Sequence, residues 1–456
     1  MGSEMCIRDS LTPDLKEEYG TLFIRLRDAA KNLGVKIIEL SPMRTALSAD
    51  AAVSLHPLPG EIGNVVQAIT TGDIPREVGG ISREDLSLAH SHLKDTNVFV
   101  IVSRSSMGQS EDPIIEALSS LQEVDNCRFL PLVRRANTMG ALDMGMAPGL
   151  LPGRNTLSSG SSAFSDIWTN LPAETGANTK QILQKASDGE IDVLFLLGAD
   201  PLTDFPNKAL AEAALQKVET LVAVDLFVTP SVYESDVVLP ATSFLEADGS
   251  HTNVEGRITP IGQKITPPGT ARPDWMIAAE IAYRLGHDLE ITAPEDVWEE
   301  ISSRSSVHGD LNYGRLDDEP GGYLITATGR IPFVPVEERI ETRPVDSYAM
   351  RLILGRRMFD KGTITQMSSS LSHLAEQSQL RINQYDFERL GIKEGAQVEV
   401  TSEGRNISIS VKVDNRVPRS SALIYRNLDG ADPRELLIEG THRIDIRIDP
   451  TNKARS

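Results

Sequence analysis

Val193-Leu-Phe-Leu-Leu-Gly-Ala-Asp-Pro201 is the stretch from which the fold can be read. Five apolar residues in a row, stopped by turn-forming ones, have the length of a strand, not of a helix. Gly198 lets the backbone turn and approach a ligand, and Asp200-Pro201 has the chemistry of a helix start. Working outward, Asn207–Lys217 has helical composition and Leu221-Val-Ala-Val-Asp225 is a second apolar strand. Strand, helix and strand in that order form a βαβ unit, whose strands are parallel. Val237-Val-Leu239 is expected as another buried strand. Pro273–Gly286 is expected as an amphipathic helix, with Pro at its start and Gly past its end.

The same alternation runs towards the N-terminus. Leu15, Tyr19, Leu22, Phe23, Leu26, Ala30 and Leu33 recur at helical spacing, and Gly34 follows as a stop. Val35–Leu40, Val98–Ser103 and Cys127–Val133 read as strands, and Asp112-Pro113 opens a helix carrying Ile114, Ile115, Leu118 and Leu121. Cys127 is expected to be a small buried hydrophobe. Residues 137–179, rich in Gly, Ser, Pro and Met, read as one long loop, which in a compact domain is functional or packed on a partner. After Pro344 the period shortens. Arg351–Leu354, Leu380–Asn383, Gln397–Thr401, Ile407–Val413, Ala422–Tyr425 and Arg443–Ile448 are short strands, with one helix near Asp386–Leu390, and together they predict a small β-barrel.

Charge supports that division. The 456 residues carry 45 Lys/Arg and 65 Asp/Glu, a net charge of −20, yet residues 346–456 hold 17 Lys/Arg against 15 Asp/Glu. The expected organisation is therefore an α/β domain over residues 11–344 and a barrel over 345–456. Residues 1–10 lack the apolar core of a secretory signal and resemble translated sequencing-adapter read-through, so they are set apart as an artefact or a disordered terminus. An acidic surface repels polyphosphate, which argues against nucleic-acid binding. No run of 18 apolar residues occurs, so no helical membrane span is expected. Two cysteines, Cys6 and Cys127, exclude a CxxC pair or a Cys-ligated iron–sulfur cluster within these residues.

No GxSxG, HExxH, GxxxxGK[ST] or strand-following GxGxxG signature is present. His251, near Glu246, Asp248 and Glu255, is read as part of a polar loop rather than a metal cluster. Ligands of open α/β sheets bind beyond the carboxyl ends of strands, where Gly198, Asp200 and Asp225 stand. Turn formation and helix capping are the competing readings of those residues. Ser235–Arg257 is a third segment. It delivers Thr252-Asn253 and Glu255-Gly-Arg257, whose amides and guanidinium suit phosphate or carboxylate oxygens.

Ser235–Arg257 resembles the long signature of the molybdopterin oxidoreductase superfamily, and Gly198-Ala-Asp-Pro201 and Asp225 stand where that family contacts its pterin dinucleotide. Leu352–Thr363 and Leu390–Thr401 look like its C-terminal dinucleotide-binding domain. The resemblance implies a doubly wound, mostly parallel α/β fold followed by a double-psi β-barrel. Ile38–Ser48, Arg134–Gly153 and Leu196–Asp204 further resemble the family of large iron–sulfur subunits of respiratory complex I, the NADH-quinone oxidoreductase. That likeness implies a C-terminal fragment lacking the region that carries [2Fe–2S] and [4Fe–4S] clusters. No cofactor or metal is expected in this part, molybdopterin is disfavoured, and no catalytic residue is assigned. Gly198, Asp200, Asp225, Thr252, Asn253 and Arg257 would then form a vestigial pterin site. The implied partners are other peripheral-arm subunits of the complex, on the cytoplasmic side of the cell membrane, in electron transfer from NADH to quinone. Val417-Pro-Arg-Ser-Ser-Ala422 lacks the glycine that the family's barrel usually has there. The rival readings are a fragment of a true molybdopterin-dependent oxidoreductase such as a formate dehydrogenase, and an unrelated doubly wound protein that captures an anion.

Overall fold

A computed structural model describes residues 8–11, 14–94, 97–103, 112–125, 127–168, 170–309, 311–319, 321–325, 349–437 and 443–450, with backbone alone for residues 8–11, 112, 159 and 317. The chain forms two compact units, residues 1–132 with 331–456, and residues 133–330.

In the first unit, β1 (Arg8–Leu11), β2 (Ile37–Leu40), β3 (Val53–Leu55), β4 (Val98–Val102) and β5 (Cys127–Pro131) form an all-parallel sheet in the order β3-β2-β1-β4-β5. The order reverses on either side of β1, as in a doubly wound fold. Arg8, Asp9 and Ser10 therefore lie in the central strand, although the sequence reading sets them apart. Ladder hydrogen bonds use backbone groups alone, so a strand position does not demand an apolar sequence. Residues 1–7, Cys6 among them, lie outside the described residues.

Helices α1 (Gly20–Asn32), α2 (Ile62–Thr71), α3 (Arg83–Leu93) and α4 (Asp112–Gln122) accompany this sheet. The expected helix from Leu15 is interrupted at Tyr19, whose φ of −140° is not helical. Ile38, Leu40, Val98, Val100 and Val102 pack with Val65, Val66, Ile69, Leu86, Ala89, Leu118 and Leu121 of α2, α3 and α4. Ile37 and Ile101, which alternate with them and point the other way, are only 0% and 2% exposed. Burial on both faces explains the unbroken apolar runs. Glu39 is buried within β2, and its carboxylate accepts hydrogen bonds from the hydroxyls of Thr45, Ser48 and Ser54. Cys127 corrects an expectation: it is half-buried, packed at the margin of this core on an edge strand.

The second unit holds α5 (Thr138–Asp143), α6 (Thr179–Ser187), α7 (Pro201–Asp204) and α8 (Lys208–Lys217). Its parallel sheet is β6 (Val193–Leu197), β7 (Thr220–Asp225) and β8 (Val237–Pro240), paired in that order. A hairpin of β9 (Gly249–Thr252) and β10 (Arg257–Ile261), extended by β11 (Tyr323–Leu324), is antiparallel. Helices α9 (Asp274–Arg284) and α10 (Pro294–Arg304) follow the hairpin. Asn178 and Gln181 form a reciprocal capping box at the start of α6. Leu194, Leu196, Leu221 and Ala223 pack on Leu183 and Ala186 of α6 and on Ala211, Ala214 and Leu215 of α8. Val237 and Val238, expected to be buried, are exposed because β8 is an edge strand.

The 137–179 segment is also corrected. It contains α5, a small hairpin at Leu150–Thr156 and a helix at Leu157–Phe164. Asp143, 1% exposed, receives two hydrogen bonds from Arg154, at 2.6 and 3.2 Å, and this pair ties the segment together across eleven residues.

The last part of the first unit is a closed barrel of β12 (Met350–Gly355), β13 (Gln379–Ile382), β14 (Gln397–Ser402), β15 (Arg405–Val413), β16 (Ser421–Tyr425) and β17 (Asp445–Pro450). Two strand pairs, β12/β16 and β13/β15, are parallel and the others antiparallel. Helix α11 (Gln384–Leu390) begins at an Asn383 cap. Leu352, Leu354, Leu380, Ile382, Val398, Val400, Ile409 and Ile424 fill the interior. Gly355 lies so close to Tyr425 that a Cβ on it would come within 2.8 Å of the ring. The guanidinium of Arg351 donates to the Pro59 carbonyl at 2.7 Å and pairs with Glu61 at 3.2 Å, tying β12 to the chain before α2. The barrel strands run between Met350 and Pro450, while the α/β part divides between two units. Both parts of it have the same strand–helix alternation, so periodicity gives no sign of the division.

Candidate functional site

The first group of predicted residues lies beyond the carboxyl ends of β6 and β7. Gly198 has φ +56°, donates its N–H to the Val224 carbonyl at 2.8 Å, and leaves open space where a side chain would stand. Asp200 is buried and accepts from the Ser231 amide at 3.1 Å and the Ser231 hydroxyl at 2.5 Å. Ser231 Oγ in turn accepts from the Leu202 amide. Asp200 therefore staples the loop after β6 to the loop after β7. Asp225 folds back on its own turn, accepting from Leu226 and Phe227 amides at 2.6 and 3.3 Å. Burial, with the nearby Asp225 charge, holds the Asp274 carboxyl at the start of α9 above the usual carboxylate range.

The second group is in the hairpin. Thr252 is buried and donates its amide to Asn137 Oδ1 at 2.9 Å. Asn253 Oδ1 accepts from the amides of Glu255 and Arg257, both at 2.9 Å, which closes the turn. The Arg257 guanidinium donates to the carbonyls of Gly321 and Gly322 at 3.2 and 2.9 Å. His251 lies in β9, where burial lowers its pKa, and no group of three His, Cys, Asp or Glu placed to hold a metal occurs among the described residues.

The two groups meet at one tripeptide. Arg135 pairs with Asp204 of α7 at 3.5 Å, and Asn137 receives Thr252. This is the start of the Arg134–Gly153 passage, which joins the strand-end loops to the hairpin. Sequence reasoning missed the polar cluster that follows it. Arg154, in the left-handed region at φ +59°, pairs with Asp143, while buried Ser305 and His308 are joined at 2.6 Å between Oγ and Nδ1. Burial pushes the His308 pKa down, Asp143 pulls it up and Arg154 down. Asp143 was visible as the one acid of the Arg134–Gly153 passage, whereas Ser305 and His308 gave no signal.

A region of paired charges gathers at the ends of β12, β15 and β16. Arg357 lies between Glu17 at 2.9 Å and Glu376 at 2.6 Å, Arg356 pairs with Asp360 at 3.1 Å, and Arg416 with Asp414 at 2.7 Å. Arg381 reaches both Glu376 and Asp414, at 3.1 and 3.6 Å. Tyr425, fully buried, lies beneath Arg357 and Arg381, whose guanidinium carbons are 4.9 and 5.3 Å from its ring centre. Burial raises the Tyr425 pKa against the opposing charges of Arg416, Arg357 and Arg381. Burial also pushes Glu376 and Asp414 upward, but their arginine partners more than offset it and hold both carboxyls below the usual range. A crevice of about 230 Å³ beside Arg357 is lined by Lys16, Glu17, Met358, Phe359, Leu374 and Glu376. That is below the ~300–1,000 Å³ usual for a ligand pocket.

Known proteins share these regions. Residues 82–284 match the family model "Molybdopterin oxidoreductase" and residues 350–439 match "Molydopterin dinucleotide binding domain". NADPH-Fe(3+) oxidoreductase subunit alpha of Geobacter sulfurreducens is 29% identical over 70% of this chain and 37% of its own length. A subunit of the NADH-quinone oxidoreductase of Rhizobium meliloti is 26% identical, over 95% and 54% respectively. F420-dependent formate dehydrogenase 2 subunit alpha of Methanococcus maripaludis is 24% identical, over 93% and 71%. The chain thus spans roughly a third to a half of the first two relatives. Acetylene hydratase from Pelobacter acetylenicus superposes with a TM-score of 0.70 at 14% identity, covering 98% of this chain and 78% of that one, which is a likeness of fold. The parallel sheets, the closed barrel and both matched models agree: the chain carries a molybdopterin oxidoreductase domain followed by a molydopterin dinucleotide-binding domain.

Proposed function

We propose that this chain is a structural part of a multisubunit oxidoreductase of the NADH:quinone class, resembling its large iron–sulfur subunit. In this reading it braces neighbouring peripheral-arm subunits at the cytoplasmic face of the membrane and holds no molybdenum cofactor itself. Both matched models point to a molybdopterin cofactor, whose needs set a test for the residues present. A pterin dinucleotide brings a diphosphate, which calls for donors free to receive it. The arginines of the two candidate regions are already engaged. Arg257 is bound to two backbone carbonyls, and Arg356, Arg357, Arg381 and Arg416 face carboxylates. Asp200, Asp225 and Asn253 close loops of their own. As arranged, these side chains do not fit the group, and that internal matching of charge is the observation that carries the proposal.

The second reading is a part of a molybdopterin-dependent enzyme such as a formate dehydrogenase. It is favoured by the open space at Gly198 and by the formate dehydrogenase relative, 71% of which this chain covers. Metal and pterin analysis separates the two. Purified from molybdate-supplemented cells, the chain is expected to hold neither molybdenum nor a fluorescent pterin released by oxidation. About one molybdenum and a releasable pterin per chain would sink the scaffold reading and favour the enzyme.

A further inference from the structure

We propose that the exposed apolar side of β6, at the edge of the β6-β7-β8 sheet, is a docking surface for an amphipathic polypeptide helix whose apolar side is flanked by Lys or Arg. Val193, Phe195 and Leu197 alternate along β6 and are 51%, 46% and 59% exposed. Phe195 stands in register with Val222, and Val222 with Val237, so an apolar row crosses all three strands; Val222 in the middle is buried, and the exposed members stand on the two edge strands. The residues between them, Leu194, Leu196, Leu221 and Ala223, face the other way onto α6 and α8. Parallel sheets are ordinarily covered on both faces, so bare valine, leucine and phenylalanine on one of them marks a surface that another element covers.

The neighbourhood extends the apolar area. Leu226, Phe227 and Val228 are exposed directly after β7. Helix α9 starts at the same end of the sheet, where Ala241 bridges to Arg272, and it buries Ile277 alone while leaving Met276 and Tyr283 exposed.

Charge identifies the occupant. Between residues 186 and 256 the chain has thirteen Asp/Glu and two Lys, with no Arg. Both lysines, Lys208 and Lys217, belong to α8 on the covered side. Asp192, Glu219 and Asp236 are exposed and immediately precede the three strands, which gives that end of the sheet an acidic edge. A second copy docked on this face would bring that edge against another acidic surface, whereas basic flanks on an apolar helix would be complementary to it. The surface is independent of the scaffold reading, since a cofactor-bearing enzyme would expose the same face.

The test uses the 456-residue chain and a fluorescein-labelled Leu/Lys amphipathic helix of about 18 residues, long enough to be helical, beside its Leu/Glu counterpart. Saturable binding of the Leu/Lys peptide is expected by anisotropy, and none of the Leu/Glu peptide. The double substitution Phe195→Glu, Leu197→Glu adds negative charge but removes apolar surface. Docking predicts that it weakens binding at least about tenfold, or 1.4 kcal/mol. Unchanged or tighter binding would mean bare charge attraction and overturn the proposal, as would no saturable binding to the unaltered chain. Light scattering that gave a dimer abolished by the same substitution would name a second copy as the occupant and also overturn it. Should the double Glu variant fail to fold, Phe195→Thr with Leu197→Thr gives the same reading with a β-compatible side chain.

Discussion

The two parallel sheets of this chain are made of similar residues and end differently. In β2, Ile37, Ile38, Glu39 and Leu40 are all buried, and helices or loops cover either side. In β6, the run Val193–Leu197 is at least as apolar, yet three of its five side chains are exposed. An apolar run therefore reports that a strand suits a covered environment, and says nothing about which polypeptide supplies the cover. The first sheet is completed by its own unit, whereas in the second the central strand is buried and the edge strand β6 keeps one side of its run exposed.

Substitutions can break or sharpen that contrast. The largest effect is expected from Arg351→Ala in the first unit, which leaves Glu61 and the Pro59 carbonyl without their cation. Loss of about 3–5 kcal/mol is expected in urea unfolding. A value near zero would mean that the barrel does not depend on this tie. Ile38→Ala, emptying a side-chain volume in the fully covered sheet, is expected to cost about 2–5 kcal/mol in the same measurement.

A smaller and pH-dependent effect belongs to His308 in the second unit. Burial keeps its folded pKa below the ordinary 6.5, so the folded state holds the neutral ring and the unfolded chain takes up a proton first. The stabilisation is complete above pH 6.5 and is lost as pH falls from there towards the folded value. His308→Gln should remove that slope from the urea midpoints measured across this window, and an unchanged slope would place its origin elsewhere. The smallest effect is expected from Leu197→Thr on the uncovered face, within about 0.5 kcal/mol of the parent. A cost like that of Ile38→Ala would show that the face is covered after all.

Much of this architecture was legible because it rests on local patterns. Gly286 after α9, Asp112-Pro113 at the start of α4 and the short strands past Pro344 are signals carried by neighbouring residues. What escaped depends on residues far apart in sequence. The Gly/Pro-rich stretch read as one loop is organised by Asp143 and Arg154, a pairing that no periodicity announces. The division into two units was hidden because both α/β parts alternate alike. Among the candidate site residues, the position of Gly198 and Asp225 at strand ends was legible from the apolar runs that precede them. The contacts that Asp200, Asn253 and Arg257 make within the chain were not legible, because a carboxylate that binds a ligand and one that binds Ser231 look identical in sequence.

Gly355 carries a consequence out of proportion to its size. Its missing Cβ is the clearance in which the Tyr425 ring lies, and that ring is the floor for Arg357 and Arg381. A single methyl at this position would force the Tyr425 ring to shift, and the two guanidinium groups that rest on that ring are the ones paired with Glu17, Glu376 and Asp414. The seat of these paired charges thus depends on the absence of one carbon atom, so alanine there is expected to disturb electrostatics although it alters no charge.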